Sequence, residues 1–329
     1  MEFTYEAQEW PRLPPGLSIG DVGGIAVDSR DQIHVFARGK SPLMVFDRLG
    51  NLLHRWGEGR FQRPHGIDIG PDDSIYCTDD GDHTVRKFTP DGGLLLTIGV
   101  PGQAAPFMSG QPFNRCTHTA LSPSGDIYVS DGYGNARIHK FSPAGKLLTS
   151  WGGPGIAPGE FNVPHNLYGD ADGRIYVADR ENHRIQIFDG EGKLEAQWHG
   201  LHRPCAICAS KGDSPLFFIG EVGPGLPVNR SFPNLGPRLS VVASSGRILA
   251  RIGTEPAGPG LTQFIAPHAL AVDSRGDLYV GEVSRAAWPQ LFPGTLVPET
   301  LRTLRKLVRS RLKSGASDRP PPVAAGPGL

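Results

Sequence analysis

At 329 residues, with 44 Gly and 31 Pro against an apolar fraction of 38%, the chain is too rich in turn formers for a helical enzyme and too apolar for a disordered one. Lys plus Arg and Asp plus Glu each number 33, so no net field exists to hold nucleic-acid phosphates or an anionic membrane, and the expected partners are small molecules or peptides. Neither an eighteen-residue apolar run nor a basic-then-apolar leader occurs, and four cysteines fall into no disulfide framework; the expectation is a soluble, cytoplasmic monomer.

One phrase recurs along the chain: an apolar alternation, a Gly-containing turn, an I-Y-V-like run, a charged turn, and a second alternation ending in Phe. Its copies are GGIAVDSRDQIHVFARGKSPLMVFD, HGIDIGPDDSIYCTDDGDHTVRKFTP, HTALSPSGDIYVSDGYGNARIHKFSP and HNLYGDADGRIYVADRENHRIQIFDG, each followed by a further short run such as NLLHRWG or KLLTSWG. The fourth copy, within Asn162 to Phe188, is the clearest. Period-2 alternation predicts strands, and the intervening turns predict hairpins. Four strands in roughly 40 to 50 residues match one blade of an all-β propeller.

A looser fifth copy runs from Cys205 through RLSVVASSGRILARIG, with GPGLPVNRSFPNLGP widening one loop. The sixth begins at HALAVDSRGDLYVGEV and then loses the pattern. There TLRKLVR is expected as the third strand and the amino-terminal FTYEAQEW as the outermost one, closing the ring and removing an open sheet edge. The rival is an amphipathic helix over Pro298 to Leu312, with Leu301, Leu304, Val308 and Leu312 on one face. Residues 1–313 thus form a six-bladed propeller, and 314–329, SGASDRPPPVAAGPGL, a disordered tail.

Aligned copies place His65, His165 and His268 at one repeat position, each directly after a proline and separated by two blades. Histidines from blades 2, 4 and 6 lie about 120° apart where the innermost strands begin. Three imidazoles meeting on the axis form the ligand set of an open zinc site. The intervening blades carry Gly23, Thr117 (with His118 next) and a residue near Cys205. After the second strand stand Arg38 in blade 1 and Arg180 in blade 4, with Tyr133 one step further in blade 3. All three are expected at the histidine mouth, the guanidiniums suited to a carboxylate and the phenol to base chemistry once metal and Arg lower its pKa. The alternative for DREN and DGYGN is a solvated turn. Cys205 and Cys208 make a CxxC without a second pair and read as buried thiols.

Over DGYGNARIHKFSPAGKLLTSWG, GEFNVPHNL, VADRENHRIQIF, RPHGI and APHAL the chain resembles the NHL-repeat propellers, and more narrowly the peptidyl-α-hydroxyglycine α-amidating lyases. The resemblance implies zinc on His65, His165 and His268, a catalytic Tyr133, and carboxylate-binding Arg180 and Arg38. It further implies cleavage of a peptidyl-α-hydroxyglycine to peptide amide and glyoxylate. In it zinc lowers the pKa of the substrate hydroxyl, Tyr133 takes the proton, and activity falls below about pH 6 as the imidazoles protonate.

Departures are also visible. Ala269 stands where the family has an Asp that helps hold a structural calcium, and Ala266 where it has Met. Gly134, Tyr176 and Ile187 stand where secreted members have paired cysteines, in keeping with a reducing compartment. Two other readings keep the fold: a non-enzymatic NHL module that binds a peptide or RNA, and a metal-dependent lactone or ester hydrolase.

Overall fold

The computed structural model describes residues 3–253 and 255–311. Six four-stranded antiparallel sheets surround one axis. Blade 1 comprises Val22–Val27, Ile33–Ala37, Leu43–Phe46 and Leu52–Trp56. Blade 2 comprises Pro64–Ile69, Ile75–Asp79, Thr84–Phe88 and Leu94–Ile98. Blade 3 comprises His118–Leu121, Ile127–Asp131, Arg137–Phe141 and Leu147–Gly152. Blade 4 comprises Pro164–Gly169, Ile175–Asp179, Arg184–Phe188 and Leu194–Trp198. Blade 5 comprises Pro204–Ala209, Leu216–Glu221, Arg238–Ala243 and Ile248–Ile252.

Blade 6 is assembled from both ends of the described chain. Pro267–Val272, Leu278–Glu282 and Leu304–Arg311 are completed by Phe3–Gln8, which pairs antiparallel with the third strand from Gln8↔Lys306 to Thr4↔Ser310. The helix alternative over Pro298 to Leu312 is therefore excluded for its described part. Leu304 packs into the cluster facing blade 1 and Leu307 into the cluster facing blade 5, so residues three apart lie on opposite faces. A helix would put them on the same face; a strand separates them. Leu312 and the tail from Ser314 lie outside the described residues.

The core is divided among the blade interfaces. Between blades 3 and 4, for example, Tyr128, Ile138, Phe161, Val177 and Phe188 form one apolar cluster, and comparable clusters fill the neighbouring interfaces. Both faces of every sheet meet another sheet, so the second strand of blades 1 to 4 is buried at every position. One helix was not foreseen: α1 (Ser284–Leu291), inside the link between the second and third strands of blade 6. Pro289 within it argues against a helix locally. Its first turn is nevertheless satisfied from blade 1, since Arg285 N and Ala286 N donate to the Asp21 carboxylate at 2.8 and 3.1 Å.

All four cysteines are buried and free. Among the described residues no helix is long and apolar enough to cross a membrane.

Candidate metal centre and active site

The histidines are set by a defect in pairing. In blade 2 the first strand pairs Pro64 with Asp79 and Gly66 with Thr78, leaving His65 as an extra residue. The same shift leaves out His165 between Pro164 and Asn166, and His268 between Pro267 and Ala269. Such a bulge re-aims a side chain that a regular strand would direct into a blade interface. Here it sends three imidazoles to the axis, with ring centroids 4.7 to 4.8 Å apart.

A buried acid at the end of the second strand holds the approach to each bulge. Asp79 accepts from Gln62 N and Arg63 N, Asp179 from Asn162 N, and Glu282 from Ile265 N and Ala266 N, at 2.6 to 3.1 Å. Asp179 is paired with Arg184 at 2.8 Å and Glu282 with Arg305 at 2.7 Å. These acids were overlooked in the repeat, although IYCTD, IYVAD and LYVGE all end in one.

Each imidazole is held by its inner nitrogen. His65 Nδ1 donates to Thr117 O at 2.6 Å, His165 Nδ1 to Cys205 O at 2.8 Å, and His268 Nδ1 to Gly23 O at 3.0 Å. The acceptors are the three repeat positions that lack histidine. With the proton committed to Nδ1, the Nε2 lone pair is free, which is the tautomer a metal requires. One nitrogen from each ring lies within 4.8 Å of the others, and among the described residues this is the one group of three or more ligating side chains close enough to share an ion. The donor set fits a divalent metal with an open position. Ala269, buried on the innermost strand, brings no carboxylate to the axis for calcium.

Burial, mutual repulsion and the nearby Arg38 and Arg180 guanidiniums hold all three imidazoles well below their ordinary pKa. The expectation of a fall in activity below about pH 6 assumed ordinary imidazoles; the direction of these shifts favours the neutral, metal-binding form.

The other expected residues arrive at the same mouth. Tyr133 Oη lies 3.1 Å from Nε2 of both His65 and His165. Burial pushes its pKa up and the Arg180 charge pulls it down less, so the protein by itself does not depress it. Arg180 and the previously overlooked Arg115 lie 5.6 and 4.7 Å from its ring centre. The two expected carboxylate binders differ. Arg180 is paired with Glu181 at 2.7 Å, an acid it shares with Arg203. Arg38 donates to Pro64 O at 3.2 Å and has no carboxylate partner among the described residues. Burial and the Arg63 charge lower its pKa, so it gains most from an arriving anion.

Two more features complete the mouth. Asp80 gathers Arg63 and Arg115, giving the mouth more guanidinium than carboxylate. Cys205 sits at the histidine position of blade 5, its thiol 3.2 Å from His165 Nδ1, with its pKa pushed up to about 11 by burial. The mouth holds a cavity of about 230 Å³. A larger one, about 630 Å³, opens at the opposite end of the axis near Asp68, His118 and Tyr168, away from the histidine centre.

Comparison with known proteins agrees with the fold. The NHL repeat model matches residues 113–141 and 161–188. NHL repeat-containing protein 3 of Homo sapiens is 33% identical over 83% of this chain and 80% of its own length. The chain belongs to the NHL-repeat propellers. Within that family, a protein of Caenorhabditis elegans named as a probable peptidyl-α-hydroxyglycine α-amidating lyase is 30% identical over 82% of this chain and 81% of its own. The peptidyl-glycine α-amidating monooxygenase of Mus musculus is 35% identical over 84% of this chain, which spans 30% of that relative's length. A streptogramin B lyase structure shares the fold at 14% identity, with a TM-score of 0.59 over 94% of this chain and 98% of the other.

Proposed function

We propose that this NHL propeller is a metal-dependent lyase that cleaves a carbinolamide, converting a peptidyl-α-hydroxyglycine or a related N-acyl-α-hydroxyglycine to an amide and glyoxylate. The observation that carries the reading is the Tyr133 hydroxyl, 3.1 Å from two imidazoles whose inner nitrogens are already engaged. A proton-transfer group beside three poised ligands serves chemistry; a binding surface has no use for it. Relatives named for the same reaction support it.

Nε2 of His65, His165 and His268 would hold a zinc ion, whose contribution when bound is Lewis acidity toward the carbinol. Arg38 carries the substrate carboxylate, because Arg180 is already engaged by Glu181. Arg180 keeps its charge despite burial, supported by Tyr133, Cys205 and Glu181, and favours the phenolate form of its neighbour. Tyr133 Oη takes the hydroxyl proton as the C–N bond breaks and the aldehyde C=O forms. The electron pair of the broken bond leaves with the amide nitrogen, which takes that proton from Tyr133 Oη, so the phenolate is restored and the reaction is proton-neutral.

The test is glyoxylate release from α-hydroxyhippurate by the purified protein, alongside metal analysis. Turnover with about one zinc per chain, lost in His165→Ala, is expected. Metal-free protein that forms no glyoxylate after zinc is added back supports the binding-module reading instead.

A further inference from the structure

The six residues that follow the second strands form a ring around the mouth, and they divide into two sectors. Blades 1 to 4 contribute Arg38, Asp80, Gly132 (followed by Tyr133) and Arg180, whereas blades 5 and 6 contribute Val222 and Val283. The apolar sector is extended by the longest link between second and third strands, from Glu282 to Leu304, which carries α1.

That link is built as a fixed wall. Asp21 holds its first turn, and Trp288 is buried, stacks on Phe292 with centroids 4.2 Å apart, and donates Nε1–H to Thr295 Oγ1 at 2.9 Å. Ile265, Ala266, Trp288 and Leu301 form its own apolar cluster. Toward the cavity α1 presents Ala286, Ala287, Gln290 and Leu291, opposite the arginines and Tyr133. Ala266, immediately before Pro267 and His268, leaves room where these surfaces meet.

We infer that this wall receives the acyl group of the substrate, and that the preferred substrates are α-hydroxyglycines N-acylated by a compact hydrocarbon group, aromatic or branched aliphatic, in place of a peptide. This rests on the lyase reading. A peptide presents an N–H and a C=O at every residue, and each must find a partner when it leaves water. Among the α1 side chains that line the cavity Gln290 is the one polar group, so a peptide laid along the helix leaves amide groups unpaired where a phenyl or isobutyl group buries only apolar surface. The cavity, at about 230 Å³, is also smaller than the roughly 300 to 1,000 Å³ of sites that enclose drug-sized ligands. Arg38 and Tyr133 meet the carboxylate and hydroxyl at one end, and the hydrocarbon fills the other.

The experiment compares kcat/KM for glyoxylate release from α-hydroxyhippurate and from N-acetyl-Tyr-Val-α-hydroxyglycine. The wild-type protein is expected to favour the benzoyl substrate by about tenfold or more. Leu291→Asn and Ala287→Gln, each with zinc content and melting temperature at wild-type values, should raise KM for the benzoyl substrate with kcat little changed. Equal or faster release from the tripeptide overturns the inference and leaves the lyase reading standing, as does an unchanged KM in both variants. Release from neither substrate overturns the lyase reading and this inference with it.

Discussion

His165 Nδ1 donates to the backbone carbonyl of Cys205, 2.8 Å away in the next blade, and the His65–Thr117 and His268–Gly23 pairs repeat the relationship. Every blade therefore contributes to the centre: alternate ones give an imidazole, and the others give the carbonyl that orients it. Because the acceptors are backbone atoms, residues of different side chain can fill the role.

Removing a ligand should remove the metal. His65→Ala, His165→Ala or His268→Ala is expected to reduce bound zinc from about one per chain to near zero, read by elemental analysis. Chelation of the wild-type protein should lower its melting temperature, since a ligand at a thousand times its Kd stabilises the folded state by about 4 kcal/mol. An unchanged melt with full metal loss would place the ion elsewhere.

Tyr133→Phe removes the one hydroxyl among the described residues that touches two of the imidazoles. Metal content should be unchanged and kcat should fall about 10²- to 10⁴-fold, the usual reach of general acid–base catalysis. A variant with near wild-type kcat would assign the proton transfer to another group.

Arg38 and Arg180 should separate in kinetics. Arg38→Ala loses a charge-assisted contact to the substrate, about 2 kcal/mol or roughly thirtyfold in kcat/KM, expressed mainly in KM. Arg180→Ala also strips the support of the phenolate and leaves Glu181 to Arg203 alone, so kcat should fall as well. Indistinguishable variants would contradict the division of roles.

Acid should weaken the metal-free fold. His65, His165 and His268 are held well below an ordinary imidazole pKa by burial first, and burial brings His118 to about 4. The unfolded chain takes up protons near pH 6.5 while the folded one does not, so stability falls as pH drops below about 6.5, by up to about 1.4 kcal/mol per pH unit for each such histidine. Denaturant melts between pH 7 and 5 should show this decline, and His118→Asn, outside the metal centre, should reduce its slope. A flat profile would mean that the imidazoles protonate readily in the folded state.

Gly132 precedes Tyr133 and faces the strand that carries His165; a Cβ there would lie 2.0 Å from Pro164 O. Since the obstacle is backbone, Gly132→Ala must displace one strand or the other. A loss of about 1 to 3 kcal/mol, read by denaturant titration, is expected together with weaker zinc retention.

Much of this was written in the chain because a propeller turns sequence period into angular position. Once the I-Y pairs were aligned, Pro64-His65, Pro164-His165 and Pro267-His268 had to meet at one end of the axis, and the residues after the second strands had to return there. Closure of blade 6 was legible too, since FTYEAQ and LRKLVR are the strands the sixth repeat lacks. The acids Asp79, Asp179 and Glu282 were legible in principle, at a fixed step after each I-Y pair, but their function appears only when the loop amides they accept from are folded onto them.

The sequence by itself determined the number of blades, the strand order and the set of histidines, because these follow from periodicity, and periodicity is local. Tertiary structure alone decided the tautomer of each imidazole, the difference between Arg38, bonded to a backbone carbonyl, and Arg180, engaged by a carboxylate, and the apolar wall of α1. Those depend on partners such as Cys205 O, Glu181 and Asp21, and in the case of α1 the partner lies in another blade at the far end of the chain. Short-range patterns build the ring. Which groups are left unpaired at its mouth depends on long-range contacts that no repeat encodes.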